Sequence, residues 1–134
     1  MKLSTLLSDF PVTRCDANDP DVWSLSEDSR RVKQGALFFA RAGTKTDGRA
    51  FIVDAVARGA TAVLAPAGTS RPEGVPQSVA WCETADPALA AALVAERFHG
   101  GPSRRIDLIG VTGTNGKTTT AYLVQQLMAF AGLR

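Results

Sequence analysis

Gly113, Gly116, Lys117 and Thr118 are the residues whose types and spacing promise chemistry, in the stretch GVTGTNGKTTT at 110–120. A loop that holds a nucleotide's phosphates needs glycines so that successive backbone N–H groups can turn inward, and a helix start whose dipole favours negative charge. It also needs a lysine to reach the outer phosphates and a hydroxyl for magnesium. Gly110, Gly113 and Gly116 supply the first, Lys117 and Thr118 the rest. The strict pattern G-x-x-x-x-G-K-[ST] puts its first glycine on Val111; Gly110 stands one place early and Gly113 two late. The plain alternative is a strand-to-helix turn with glycines for tight packing and surface Lys117 and Thr118. Lysine and threonine directly after the last glycine, where the helix should begin, favour the phosphate reading.

Such a loop works only between a strand and a helix. The apolar IDLIGV, 106–111, predicts the strand, and Val124, Leu127, Met128 and Ala131, at i, i+3, i+4 and i+7, predict one apolar helix face. Upstream, ALFFA (36–40), TAVLA (61–65) and SVAWC (78–82) read as strands. Ile52, Ala55, Val56 and Gly59 mark a helical face with a glycine stop. Asp86-Pro87 reads as an N-cap and first-turn proline for a helix carrying Ala90, Val94 and Phe98, and Gly100-Gly101-Pro102 ends it. The proline- and glycine-rich 66–77 reads as a surface loop. Strands alternating with helices give an α/β fold class. We expect a small N-terminal α/β domain at 1–101, then at 102–134 the first strand, P-loop and helix of a truncated central ATP-binding domain. One strand and one helix bury too little apolar surface to offset chain entropy alone.

The chain has 134 residues, 45% hydrophobic and 21% charged, with a net charge of +2. That composition suits a globular domain and argues against a nucleic-acid groove or an anionic membrane surface. No stretch approaches the ~20 apolar residues of a membrane span, and the N-terminus is too polar for a secretory signal, so a cytoplasmic location is expected. Cys15 and Cys82 are far apart in sequence and His99 is the single histidine. The expectation is two reduced thiols, with no zinc site and no Ser-His-Asp set.

GTNGKTTT after an apolar strand resembles the ATP-binding loop of the Mur ligase superfamily, the amide-forming enzymes that build the peptide stem of the bacterial cell wall. Asn115, Thr119 and Thr120 point to the type adding the third stem residue. Residues 27–65, with Asp28-Ser29-Arg30, Gly35-Ala-Leu-Phe-Phe-Ala40 and Gly43-x-x-x-Asp47-Gly48, resemble the uridine-binding domain shared by that type and the D-alanyl-D-alanine adding ligases. Arg49 favours the former, since the latter often carry histidine there. The resemblance covers 27–134.

What it implies is ATP-dependent amide formation with Mg2+ as cofactor. The substrate would be UDP-MurNAc-L-Ala-D-Glu and the added amino acid diaminopimelate or lysine. Gly113, Thr114, Asn115, Gly116, Lys117, Thr118 and Thr119 would bind ATP, with Lys117 catalytic and Thr118 on the metal. Ser29, Thr44, Lys45 and Thr46 would hold the UDP-sugar. Two readings of Ser29 stand together: a hydroxyl for uracil or a diphosphate oxygen, or a local turn with Asp28 that fixes the strand end. Lys45 likewise answers the diphosphate or is merely solvated. Asp28 and Arg30 would pair across the strand, and Asp47 would cap the following helix. The amino-acid site and the remaining magnesium ligands would lie beyond Arg134, so the 134 residues are expected not to turn over substrate. The alternatives are a stand-alone UDP-sugar-binding module and a fragment of the D-alanyl-D-alanine adding ligase. No nucleic-acid or membrane partner is expected.

Overall fold

The computed structural model describes residues 1–10, 12–16, 18–43, 46–107 and 109–133. They form two compact units, Met1–Pro102 and Ser103–Arg134.

The first unit is built on five strands: β1 (Val12–Cys15), β2 (Ser24–Ser26), β3 (Ala36–Phe39), β4 (Ala60–Pro66) and β5 (Ala80–Thr84). Their order across the sheet is β1-β5-β4-β3-β2. β2, β3, β4 and β5 run parallel, and β1 closes one edge antiparallel to β5. A parallel sheet is covered on both faces, so its strands read as continuous apolar runs, and β3 is buried at every position. The side-chain period of two divides those runs between two cores. Leu37, Phe39, Leu64 and Cys82 face one core with α1 (Leu3–Leu6) and α3 (Pro87–Phe98). Phe38, Val63 and Trp81 face the other with Ile52 and Ala55 of α2 (Ile52–Ala57).

Local chemistry sets the boundaries. Asp86 accepts from the amides of Ala88 (3.1 Å) and Leu89 (2.9 Å), and Pro87 opens α3. Arg97 on α3 donates to the carbonyls of Thr5 and Leu6 at 3.2 and 3.1 Å, and so holds the end of α1. Ala90 and Val94 are buried, whereas Leu89 and Leu93 remain about half exposed. The fifth strand starts two residues later than SVAWC suggested, because Val79 closes a turn onto the Pro76 carbonyl.

Two expectations need correction here. Cys15 and Cys82 are not separate thiols: they are register partners across the antiparallel β1–β5 pair, Cα atoms 4.0 Å apart, and form a disulfide. Sequence distance hid a directly opposed pair. The strand expected at 106–111 is absent among the described residues, and Ile109, Gly110 and Val111 are exposed. A strand needs a neighbour for its ladder, and within Ser103–Arg134 the other regular element is a helix, α4 (Lys117–Phe130). Val124 of α4 is half-buried; Leu127, Met128 and Ala131 are exposed.

Candidate functional site: a cleft at the sheet's carboxyl edge and a glycine loop

The parallel strands β2 and β3 both deliver the chain to one end of the sheet, the place where open α/β sheets bind ligands. After β2 the chain makes a 3-10 turn at Ser29–Arg31, and Asp28 caps it by accepting from the Arg30 amide at 3.0 Å. The same carboxylate receives the Arg30 fork, Nε at 2.9 Å and Nη2 at 2.8 Å. The pair therefore forms inside one turn and not across the strand, because residues two apart face each other around a turn. Those guanidinium bonds hold the Asp28 carboxyl below its ordinary range.

After β3 the chain folds back at 43–46: the Gly43 amide donates to the Thr46 carbonyl at 2.8 Å, and Ala42 bridges to Asp47. Asp47 then caps a second 3-10 turn, Gly48–Phe51, which leads into α2, and its carboxyl is lowered by the Arg49 side chain. Gly48 makes this return possible, since a Cβ there would lie 2.5 Å from the Arg41 carbonyl.

Between these turns lies a cleft of about 510 Å³, inside the ~300–1,000 Å³ range of small-ligand sites. Ser29, Thr46, Phe51 and Asp54 line it, with Glu27 and Arg41 at the strand ends. Arg41 grips Glu27 through two 2.7 Å bonds, which raise the pKa of the guanidinium. Both arginines that line the cleft, Arg30 and Arg41, are thus already held by carboxylates. Ser29 is 5% exposed, and its hydroxyl donates to Asp54, which also accepts from Arg58 at 3.0 Å. The Ser29 bond, then Arg58, lowers the Asp54 carboxyl. Of the residues expected to hold a UDP-sugar, Ser29 and Thr46 meet in this cleft; Thr44 and Lys45 fall outside the described residues. Asp54 carries no motif of its own; its sequence signal is a carboxylate in the first turn of the helix after Asp47-Gly48.

The second unit carries the glycine loop. Gly113 and Gly116 have φ of +141° and +79°, a region L side chains rarely adopt, and Gly116 is the residue before α4. The first backbone bond of that helix runs from Thr120 N–H to the Gly116 carbonyl at 2.9 Å, so the amides just before it lack an intrahelical acceptor. Lys117 Nζ donates to the Gly113 carbonyl and, at 3.4 Å, to that of Thr114, folding back over the loop. Thr118 and Thr119 follow in the first turn. Among the described residues no three His, Cys, Asp or Glu gather. The loop therefore offers a divalent ion the Thr118 hydroxyl and no carboxylate cage. Free amides, a positive helix end, a lysine and a hydroxyl at one loop fit a nucleotide's phosphates and a magnesium that takes its other ligands from phosphate and water.

Comparison with known proteins agrees on the family. Residues 22–99 match the Mur ligase family, catalytic domain. The UDP-N-acetylmuramoyl-L-alanyl-D-glutamate–2,6-diaminopimelate ligase of Geobacillus kaustophilus is 44% identical over 133 residues, covering 98% of this chain and 26% of that protein. The ligase of the same name from Bacteroides fragilis is 38% identical over 135 residues, covering 100% and 27%. The chain therefore spans about a quarter of the length of these curated relatives. Among solved structures, the UDP-N-acetylmuramoylalanyl-D-glutamyl-2,6-diaminopimelate–D-alanyl-D-alanyl ligase of Acinetobacter baumannii aligns with a TM-score of 0.54 at 23% identity. That alignment covers 85% of this chain and 24% of that one, and it shows the shared α/β fold. By the family match across most of its first unit, this chain belongs to the Mur ligase family.

Proposed function

We propose that the chain is the N-terminal portion of an ATP-dependent amide ligase that adds the third amino acid to UDP-MurNAc-L-Ala-D-Glu in peptidoglycan synthesis. The observation that carries this reading is the presence, on one chain, of a small-ligand cleft around Ser29 and a glycine loop whose free amides open α4. The names of the relatives favour diaminopimelate over lysine as the added residue.

A carboxylate is a poor electrophile. ATP supplies a γ-phosphoryl group to the D-glutamate side-chain carboxylate; the amine of the incoming amino acid then attacks the acyl carbon, and inorganic phosphate leaves with the oxygen. In this scheme Ser29, Thr44, Lys45 and Thr46 anchor the UDP-sugar, so that the distant peptide end is delivered at fixed reach. The backbone from Gly113 to Thr119 surrounds the ATP phosphates, Lys117 exchanges its carbonyl partners for the outer phosphates, and Thr118 holds Mg2+. Phosphoryl transfer is mainly positioning and charge neutralisation, which is the chemistry these groups provide. Among the described residues no helix is long and apolar enough to cross a membrane. We place the reaction in the cytoplasm, where Cys15 and Cys82 would rest as an opposed dithiol.

Calorimetric titration of the 134-residue chain with UMP and with ATP–Mg2+ tests the proposal: both should bind, at separate sites and without competing. Binding of UMP with no binding of ATP would favour a stand-alone UDP-sugar module. Absence of UMP binding overturns the assignment of the cleft. With ATP, UDP-MurNAc-L-Ala-D-Glu and diaminopimelate together, a phosphate-release assay should show no steady turnover by this chain.

A further inference from the structure

We infer that Asp54 is a positioning residue which holds the proton of the Ser29 hydroxyl away from the cleft, so that Ser29 accepts a hydrogen bond from a ring N–H of the bound base. The inference rests on the uridine reading of the cleft and adds a direction to its hydrogen bond.

A serine hydroxyl has one proton and two lone pairs, and it rotates to suit its partners. At an exposed site it would donate to a ligand carbonyl as readily as accept from a ligand N–H. Here it is not free to choose. Ser29 is 5% exposed, and its proton goes to Asp54, an acceptor-only carboxylate lining the same cleft. Asp54 is itself fixed from the far side: Arg58, one helical turn on, donates to its two oxygens at 3.0 and 3.1 Å. With the donor spent, the lone pairs of Ser29 Oγ are what remains for a ligand. The group that satisfies them is an N–H, and the imide N3–H of uracil is such a donor, whereas the corresponding nitrogen of cytosine is an acceptor. The neighbouring cations strengthen the case for the base end of the ligand at this point. Arg30 and Arg41 are both held by carboxylates, so the walls near Ser29 present paired charge and not a bare cation for phosphate.

The test needs no variant to begin with. On the whole 134-residue chain, calorimetry should find UMP bound at least tenfold more tightly than N3-methyl-UMP and CMP. Removing Asp54 releases the hydroxyl. Asp54→Ala should lower UMP affinity about fivefold and shrink the preference of UMP over CMP toward unity, since Ser29 can then donate to the cytosine nitrogen. Ser29→Ala should lose the same preference, and Asp54→Ala in that background should change nothing further. A merely structural Asp54 would weaken all three ligands alike and leave their ratios untouched, which overturns the inference. So does equal wild-type affinity for UMP and N3-methyl-UMP. Failure of the wild type to bind UMP at all is a separate result: it removes the uridine reading, and this inference with it.

Discussion

At the scale of single residues, the cleft is a set of short-range pairs. Asp28, Asp47 and Asp54 each accept from an arginine no more than four positions away, and each carboxyl lies below its ordinary range for that reason. A carboxylate with a depressed folded pKa contributes stability that is fully present above the unfolded value, about 3.9 for aspartate, and is lost as pH falls through the lower folded value. UMP affinity is therefore expected to be flat from pH 8 to 5 and to fall below about pH 4, as calorimetry across a pH series would show. Glu27 and Arg41 add the one bidentate pair that joins the ends of two strands. Arg41→Met should open the cleft mouth and weaken UMP severalfold while circular dichroism stays unchanged. Lys117 is the matching residue of the loop: Lys117→Ala should abolish detectable ATP binding without moving the UMP isotherm.

Turns and caps decide the element scale. Gly48 sits where the Arg41 carbonyl would meet any Cβ at 2.5 Å, so Gly48→Ala should cost about 1–3 kcal/mol by overpacking and should loosen the loop at 43–46, both readable by urea titration with and without UMP. Asp86→Ala, which removes the cap of α3, should cost about 1 kcal/mol. These signals were plain in the residues: Asp-Pro before a helix, Asp-Gly before a turn, apolar runs for the three buried central strands. Other elements were hidden for physical reasons. β2 is Ser-Leu-Ser and β1 is mostly exposed, so neither edge strand has the apolar run that marks a buried one. Glu83 is a buried carboxylate within β5, satisfied by the Gly68 amide at 2.8 Å and the Trp81 ring N–H at 3.1 Å. It pins the start of the loop after β4, and no local pattern announces a contact between residues fifteen apart. The site was half legible. Ser29 and the glycine loop stand in motifs, whereas Asp54 matters through a hydroxyl twenty-five residues earlier, which only the fold brings near.

On the scale of the molecule, the two units differ in what holds them. Met1–Pro102 contains both apolar cores, one on each face of the sheet. Of the described residues from 103 to 133, Val124 is half-buried and the rest are exposed. Buried apolar area is the main source of cooperativity, and short helices without it are marginal. Amides of α4 should therefore exchange with solvent far faster than those of β3 and β4, and a chain ending at Pro102 should melt at the same temperature as the full 134 residues. Hydrogen exchange and calorimetry check the two statements separately. A loss of several degrees in the shorter chain would mean that the second unit contributes to the first.

The link between Cys15 and Cys82 spans 67 positions of sequence, a closed ring long enough to restrict the unfolded chain by an amount on the order of 4 kcal/mol. It lies on β1 and β5, while the cleft opens from β2 and β3 at the opposite margin of the sheet. Durability and recognition are thereby assigned to different borders of the same scaffold. Dithiothreitol should make the protein easier to melt and its N-terminal strand easier for a protease to clip, yet leave its grip on UMP where it was.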